Sequence, residues 1–208
     1  MPDARFPKAK RSFGQNFLVD QSYVAKIVKA AKLDSSSTVV EIGPGRGALT
    51  NELLRQAGKV IAVELDRDLA SLLRDRFKEY SNLQLIEQDA LALDFDQIAL
   101  ENGSGLTLVA NLPYNISTAI LSRLVGYRHS FESMILMFQR EVVERITAKP
   151  ASSDRGYLTV MVQAFMKVEK LFDVPPTAFR PVPKVWSSVV RLIPKEATEF
   201  DDDPQLFG

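Results

Sequence analysis

Between positions 38 and 138, short β-branched or apolar runs alternate with stretches in which apolar residues recur every three or four positions. The runs at 38–42, 60–64, 83–88 and 106–110 predict strands, and their near-continuous apolar character suits strands covered on both faces. Helices are predicted at 48–57, 66–80 and 117–125. In the second, Leu69, Leu72, Leu73 and Phe77 recur at near-helical spacing, and Asp66 is placed to cap the first turn. A helix at 22–33, with Val24, Ile27, Val28 and Ala31 on one side, precedes the first strand; a strand at 131–138 and a helix at 140–148 follow the last helix. The Pro-Ala-Ser-Ser-Asp-Arg-Gly stretch at 150–156 reads as a loop. Two late strands, near 168–174 and 188–193, are expected to close the sheet as an antiparallel pair. The rhythm predicts an α/β fold, a mostly parallel sheet with helices on both faces, over residues 21–195. A basic segment, 1–20, precedes it, and an acidic, mobile tail, 196–208, is expected to follow.

Composition narrows the class. With 46% hydrophobic and 25% charged residues, 208 positions suit one globular domain that buries its core unaided. The longest apolar run, Met134 to Phe138, is far short of the roughly 18 residues of a membrane span. The N-terminus is basic but lacks the apolar core of a secretory signal, so a cytoplasmic protein is expected. There is no cysteine, and the single histidine, His129, sits in a polar stretch and reads as a solvated loop residue. Thiolate catalysis, disulfides and His/Cys zinc sites are therefore excluded, and no metal is expected. The net charge is zero but unevenly spread: residues 1–32 carry seven Lys/Arg against two Asp/Glu, 33–138 nine against fourteen, 139–195 ten against five, and 196–208 five acids alone. Two basic blocks around an acidic middle suit a polyanion at the rim and a cationic cofactor at the centre; ordinary solvated charge would produce the same mosaic.

The densest chemistry lies at Glu41-Ile42-Gly43-Pro44-Gly45-Arg46-Gly47-Ala48, between a predicted strand and helix. Glycines there let the backbone turn sharply and approach a ligand. Taken literally, Gly43-x-Gly45-x-x-Ala48 also satisfies the dinucleotide fingerprint, in which a helix N-terminus binds pyrophosphate. Glu41 argues against it, because a carboxylate repels pyrophosphate but suits the cationic methionine end of S-adenosylmethionine. Glu64 ends the second strand about 20 residues after the loop, where a carboxylate can accept both ribose hydroxyls. Asp89 ends the third, where it can accept from an adenine amino group. Ligands of open α/β sheets bind beyond the carboxyl ends of the strands, so Glu41, Glu64 and Asp89 are expected to converge on one crevice. Each alone is more often a solvated loop acid; three at successive strand ends are hard to read that way.

At the end of the fourth strand stands Asn111-Leu112-Pro113-Tyr114. An aromatic amine is a poor nucleophile because its lone pair is delocalised into the ring. The Asn111 side-chain carbonyl and the backbone carbonyl of Leu112 can accept its two N–H bonds and hold the nitrogen in an attacking geometry. Pro113 stiffens the turn, and Tyr114 offers a face for a base. A plain proline turn with a core tyrosine is the alternative.

On these motifs, together with Gly14-Gln15-Asn16-Phe17-Leu18, Asp89-Ala90, Asn115-Ile116-Ser117 and Phe179-Arg180-Pro181-Val182-Pro183-Lys184-Val185, the chain resembles the rRNA adenine dimethyltransferase family, in particular its small-subunit, kasugamycin-resistance branch. The resemblance runs from Phe13 to Pro194. It implies a class I (Rossmann-like) methyltransferase fold with a seven-stranded sheet. It also implies that Asn16 and Leu18 contact the cofactor from the N-terminal segment, that Gly43 and Gly45 line its methionine end, and that Leu65 and Ala90 flank its adenine. Asn111 would touch both cofactor and target, and Phe179 would stack the flipped adenine against Tyr114. Prolines 175, 176, 181 and 183 restrict the chain around that ring, and a stacked base recovers roughly 1–3 kcal/mol of the cost of leaving its helix. The implied activity is dimethylation of two adjacent adenosines near the 3′ end of small-subunit rRNA during ribosome assembly, by a monomer whose partner is the small ribosomal subunit.

The chain departs from the family twice. Trp186 stands where a small or acidic polar residue is usual, and the sequence reaches Gly208 without the family's small helical C-terminal domain. The large-subunit, antibiotic-resistance branch is the nearest alternative, but it commonly has Ile at the position of Leu112 and is more basic. A non-catalytic ribosome-assembly or transcription factor on the same fold is a second alternative. An NAD-dependent oxidoreductase is a third, opposed by Glu41 and by the lack of a hydride-transfer acid or base.

Overall fold

The computed structural model describes residues 9–10, 14–103, 105–150 and 152–196. Positions 1–8 and 11–13 of the basic segment, and the acidic tail beyond Glu196, lie outside the described residues. Along the chain come β1 (Phe17–Leu18), α1 (Gln21–Ala31), β2 (Thr38–Ile42), α2 (Ala48–Gln56), β3 (Lys59–Glu64), α3 (Arg67–Arg76), β4 (Leu83–Glu87), α4 (Phe95–Asn102), β5 (Leu106–Asn111), α5 (Ser117–Gly126), β6 (Phe131–Gln139), α6 (Arg140–Ile146), α7 (Tyr157–Phe165), β7 (Met166–Val174), β8 (Phe179–Arg180) and β9 (Ser187–Pro194).

The expected seven-stranded sheet forms in the order β4-β3-β2-β5-β6-β9-β7. Strands β2 to β6 run parallel, while β9 pairs antiparallel with both β6 and β7. Successive side chains along a strand point to opposite faces, and the core divides accordingly. Val40, Ile61 and Leu108 face α4 to α7, whereas Val39, Val60 and Val109 face α1 to α3. The connections leave in opposite directions between β2 and β5, and open α/β sheets bind ligands at such a switch point.

Two helices escape the periodicity reading. Helix α4 is only eight residues long and carries Leu100 81% exposed, so its apolar face is brief, although Asp94 caps it through the Gln97 amide at 3.1 Å. The sequence of α7, Tyr157 to Phe165, is almost wholly apolar and continues without a turn into β7, so no polar face marks where helix ends and strand begins. Its burial against α5 and α6 decides the matter. Helix α3 stops at Arg76 rather than Tyr80, with Phe77 turned inward. His129 lies exposed in a 3-10 turn.

Candidate cofactor and acceptor site

After β2, Gly43, Gly45 and Gly47 take φ values of 65°, 59° and 79°, left-handed backbone that other residues adopt at a cost. Space adds a second constraint: a Cβ at Gly45 would lie 2.9 Å from the Phe17 ring, and one at Gly47 2.6 Å from Phe77. Neighbouring strand ends hold the loop. Gly43 N–H donates to the Val63 carbonyl at 3.0 Å, and Gly45 N–H donates to Glu64 Oε2 at 3.1 Å. The other Glu64 oxygen accepts from the Asp66 amide at 2.9 Å. Glu64 therefore ties the glycine loop to the start of α3, and each oxygen keeps a further lone pair for a ligand hydroxyl. Burial raises its pKa, opposed by these amide donors.

The loop forms one wall of an open cavity of ≈ 900 Å³, the solvent-open mouth included. Gly43, Gly45 and Glu64 line one side, with Leu65 half exposed beyond them. Asp89 and Ala90 line the end of β4, where Asp89 Oδ1 accepts from the Leu91 amide at 2.9 Å and caps a short 3-10 turn. The segment from Gly14 to Phe17 crosses the cavity as a strap. Lys10 Nζ anchors it 2.7 Å from both Asp66 and Asp68, and Gln15 Nε2 donates to Asp66 at 3.0 Å. Burial pushes the Asp66 pKa up, but the Lys10, Gln15 and Asp68 amide donors outweigh it, and the carboxyl stays below its ordinary range. Gln15, Phe17 and Asn115 also line the cavity. Sequence reasoning gave none of them a role, and the only hint was that Gln15, Phe17 and Asn115 belong to the motifs carrying the family resemblance.

The acceptor side is built from β5. Asn111 Nδ2 donates to the Asn16 carbonyl at 3.1 Å, which leaves Oδ1 as the acceptor end of the amide. Leu112 is buried and its amide donates to the Met137 carbonyl at 3.3 Å, so the turn is anchored to β6. Pro113 and Tyr114 line the cavity with Asn111. The Tyr114 carbonyl accepts from Ser117 Oγ at 2.9 Å, and its hydroxyl lies 2.7 Å from Ser187 Oγ at the start of β9. Burial raises the Tyr114 pKa, opposed by Ser187.

Three residues stand elsewhere than expected. Leu18 and Phe179 are not in the cavity wall. They pair with each other across β1 and β8, and both side chains pack into the core beneath α1. The Phe179 ring is fully buried, so in this arrangement it has no open face to offer a base. Glu41 also fails to reach the crevice. Its carboxyl is enclosed at 1% exposure, neither oxygen makes a hydrogen bond among the described residues, and its pKa is pushed up to about 8. Burial is the main cause and the charge of Glu64 adds to it; the nearby Thr50 hydroxyl and amide oppose the rise without reaching good hydrogen-bond geometry. At neutral pH Glu41 is therefore mostly uncharged. Of the three expected acids, only Glu64 and Asp89 line the cavity.

Among the described residues no group of His, Cys, Asp and Glu is arranged to hold a metal ion, and no helix is long and apolar enough to cross a membrane. Residues 6–206 match the profile described as ribosomal RNA adenine dimethylase. A relative from Hahella chejuensis named ribosomal RNA small subunit methyltransferase A is 50% identical over 187 residues, which cover 90% of this chain and 68% of the relative. Among solved structures, a dimethyladenosine transferase from Plasmodium falciparum superposes with a TM-score of 0.80 at 38% identity, covering 89% of this chain and 66% of that one. The 23S rRNA methyltransferase ErmE superposes with a TM-score of 0.77 at 30% identity, covering 88% and 71%. The chain thus spans about two thirds of the length of these proteins. With the profile matched over nearly the whole chain and the close superposition on these structures, the chain belongs to the ribosomal RNA adenine dimethylase family and has the class I methyltransferase fold.

Proposed function

We propose that this chain transfers methyl groups from S-adenosylmethionine to the exocyclic amino groups of two adjacent adenosines near the 3′ end of small-subunit rRNA, giving dimethyladenosine. The observation that carries this reading is the Asn111–Tyr114 turn, which shares one cavity with the glycine loop, Glu64 and Asp89. The residues present fit S-adenosylmethionine: Gly43 and Gly45 bring bare backbone to the cavity wall, Glu64 keeps lone pairs for ribose hydroxyls, and Asp89 stands with Leu65 and Ala90 along the wall where an adenine would lie. When bound, that cofactor supplies an electrophilic methyl group on a sulfonium.

Asn111 Oδ1 and the Leu112 carbonyl accept the two N–H bonds of the adenine amine and turn its lone pair out of conjugation. Tyr114 stacks on the base, and its bond to Ser187 keeps the ring in place. Asn16 serves the cofactor from the strap, and Leu18, packed in the core and paired with Phe179, holds the end of the strap in place. Phe179 completes the base stack only where the β1–β8 pair yields and uncovers its ring. The protein acts in the cytoplasm during ribosome assembly, as a monomer on the small subunit. The 50% identity to a protein named for the small subunit, and Leu112 itself, support that target over the large subunit.

The test is incubation of the chain with immature small subunits, or with large-subunit RNA, and labelled S-adenosylmethionine, followed by nucleoside analysis. Dimethyladenosine in the small-subunit RNA is the expected product. Label confined to large-subunit RNA would transfer the target to the other branch, and no label despite cofactor binding would leave a binding factor.

A further inference from the structure

Trp186 adjoins the acceptor side in the chain, and the proposed reaction does not use it. It ends the segment between β8 and β9 and directly precedes Ser187, the residue whose hydroxyl meets that of Tyr114. Its backbone carbonyl accepts from the Arg140 amide at 2.9 Å, which ties this end of the segment to the start of α6. A tryptophan is normally among the most buried residues, yet this one is 43% exposed, as are Val182 at 55% and Val185 at 43% on the same segment. Arg140 lies with its guanidinium carbon 6.0 Å from the indole centroid, and Arg180 and Lys184 are exposed beside it. From Val174 to Lys195 the chain carries four Lys/Arg and no Asp or Glu.

We propose that Trp186 is a stacking platform for a nucleotide next to the target adenosine in the RNA strand. The proposal rests on the RNA-methylating reading above. Arg140 is also paired with Glu144 at 3.4 Å, but the segment's own charges are all positive. Exposed aromatic and apolar side chains on such a segment are the chemistry of single-stranded nucleic-acid binding: the rings take base faces and the cations track the phosphates. Trp186 directly precedes the residue that meets Tyr114, so the strand neighbour of a base held at Tyr114 is the nucleotide assigned to the indole. A second stacked base fixes the register of the strand and offsets part of the cost of extruding the first.

Trp186 is the only tryptophan in the chain, so its fluorescence reports this position alone. The experiment titrates the protein, in the presence of S-adenosylhomocysteine, with a single-stranded oligoribonucleotide matching the 3′ region of small-subunit rRNA and carrying an end label. Indole emission and label anisotropy are read together. Saturable quenching that follows the anisotropy is expected. Trp186→Ala should weaken binding about tenfold, while Trp186→Phe restores most of it. In methylation assays Trp186→Ala should raise KM for RNA, with kcat and cofactor affinity nearly unchanged. An oligonucleotide that binds and is methylated while emission stays constant, or a Trp186→Ala variant that binds it as well as the native chain, overturns the platform and leaves the enzymatic reading intact. Failure of the native chain to bind or methylate any small-subunit RNA overturns both.

Discussion

Around the ends of β2, β3 and β4 the cavity wall is largely backbone: three left-handed glycines, an amide on each Glu64 oxygen, and a turn capped by Asp89. Around the end of β5 it is assembled from separated segments, in which Asn111 reaches the strap and Tyr114 reaches β9; behind it, outside the wall, Phe179 lies against Leu18 in the core. The first side is set by residues within about one βαβ unit of each other, the range over which a strand-turn-helix reproduces its geometry. The second side depends on long-range packing. Substitutions on the cofactor side should therefore read as lost ligand affinity, and those on the acceptor side as lost rate or lost stability.

The largest effect is expected from Phe179→Ala, because emptying a fully buried aromatic site costs about 3–5 kcal/mol of stability. Denaturant unfolding measures it. Phe179→Leu keeps most of the volume and should fold, at a cost under about 1.5 kcal/mol. Its single-turnover rate then separates packing from catalysis: a native rate would confine Phe179 to the core, and a large loss would place it against the base.

Asn111→Ala should lower the single-turnover rate about 10²- to 10³-fold, since it removes an acceptor that orients the reacting nitrogen. Calorimetry should show a smaller loss of S-adenosylmethionine affinity, arising from the bond to Asn16. Equal losses in both would move Asn111 to the cofactor side and break the comparison.

Glu64→Ala should weaken S-adenosylmethionine binding by about 1.5–3 kcal/mol, the worth of a charge-assisted acceptor. The same substitution releases the Gly45 and Asp66 amides, so the glycine loop should also lose protection from hydrogen exchange. Unchanged affinity in a folded variant would remove Glu64 from the ribose site.

Glu41 offers a test that is read only through pH. Its folded pKa of about 8 lies above the ordinary 4.5, so between those values the native state holds a proton that the unfolded chain has released. The stability this contributes is complete below about pH 4.5 and declines as pH rises toward 8, by up to about 1.4 kcal/mol per pH unit. Glu41→Gln should flatten that slope in denaturant midpoints measured across the window. An unchanged slope would mean an ionised, partnered carboxylate in the native protein.

Much of the cofactor side was legible from local pattern. Strand ends at Ile42 and Glu64 follow from where the apolar runs stop, and Gly43 and Gly45 follow from what a tight turn beside a ligand needs. The strap was legible only as a motif. Lys10 and Asp66 are 56 positions apart, and nothing in either neighbourhood announces the pair. Helix α7 gives no periodic signal because an almost wholly apolar segment packed by two neighbours has no polar face to display a period.

The sequence by itself determined the alternation of strand and helix, the antiparallel closure by β7 and β9, and the placing of Glu64, Asp89 and Asn111 at successive strand ends. Periodicity and turn chemistry are local, and parallel βαβ connections then leave few ways to assemble them. Tertiary structure alone decided that Glu41 is enclosed and mostly neutral while Glu64, at the end of the adjacent strand, faces the cavity. It also decided that Leu18 and Phe179 cover one another. Charge state follows desolvation, and a two-residue strand has no period, so both depend on residues brought together by packing and not on neighbours in the chain.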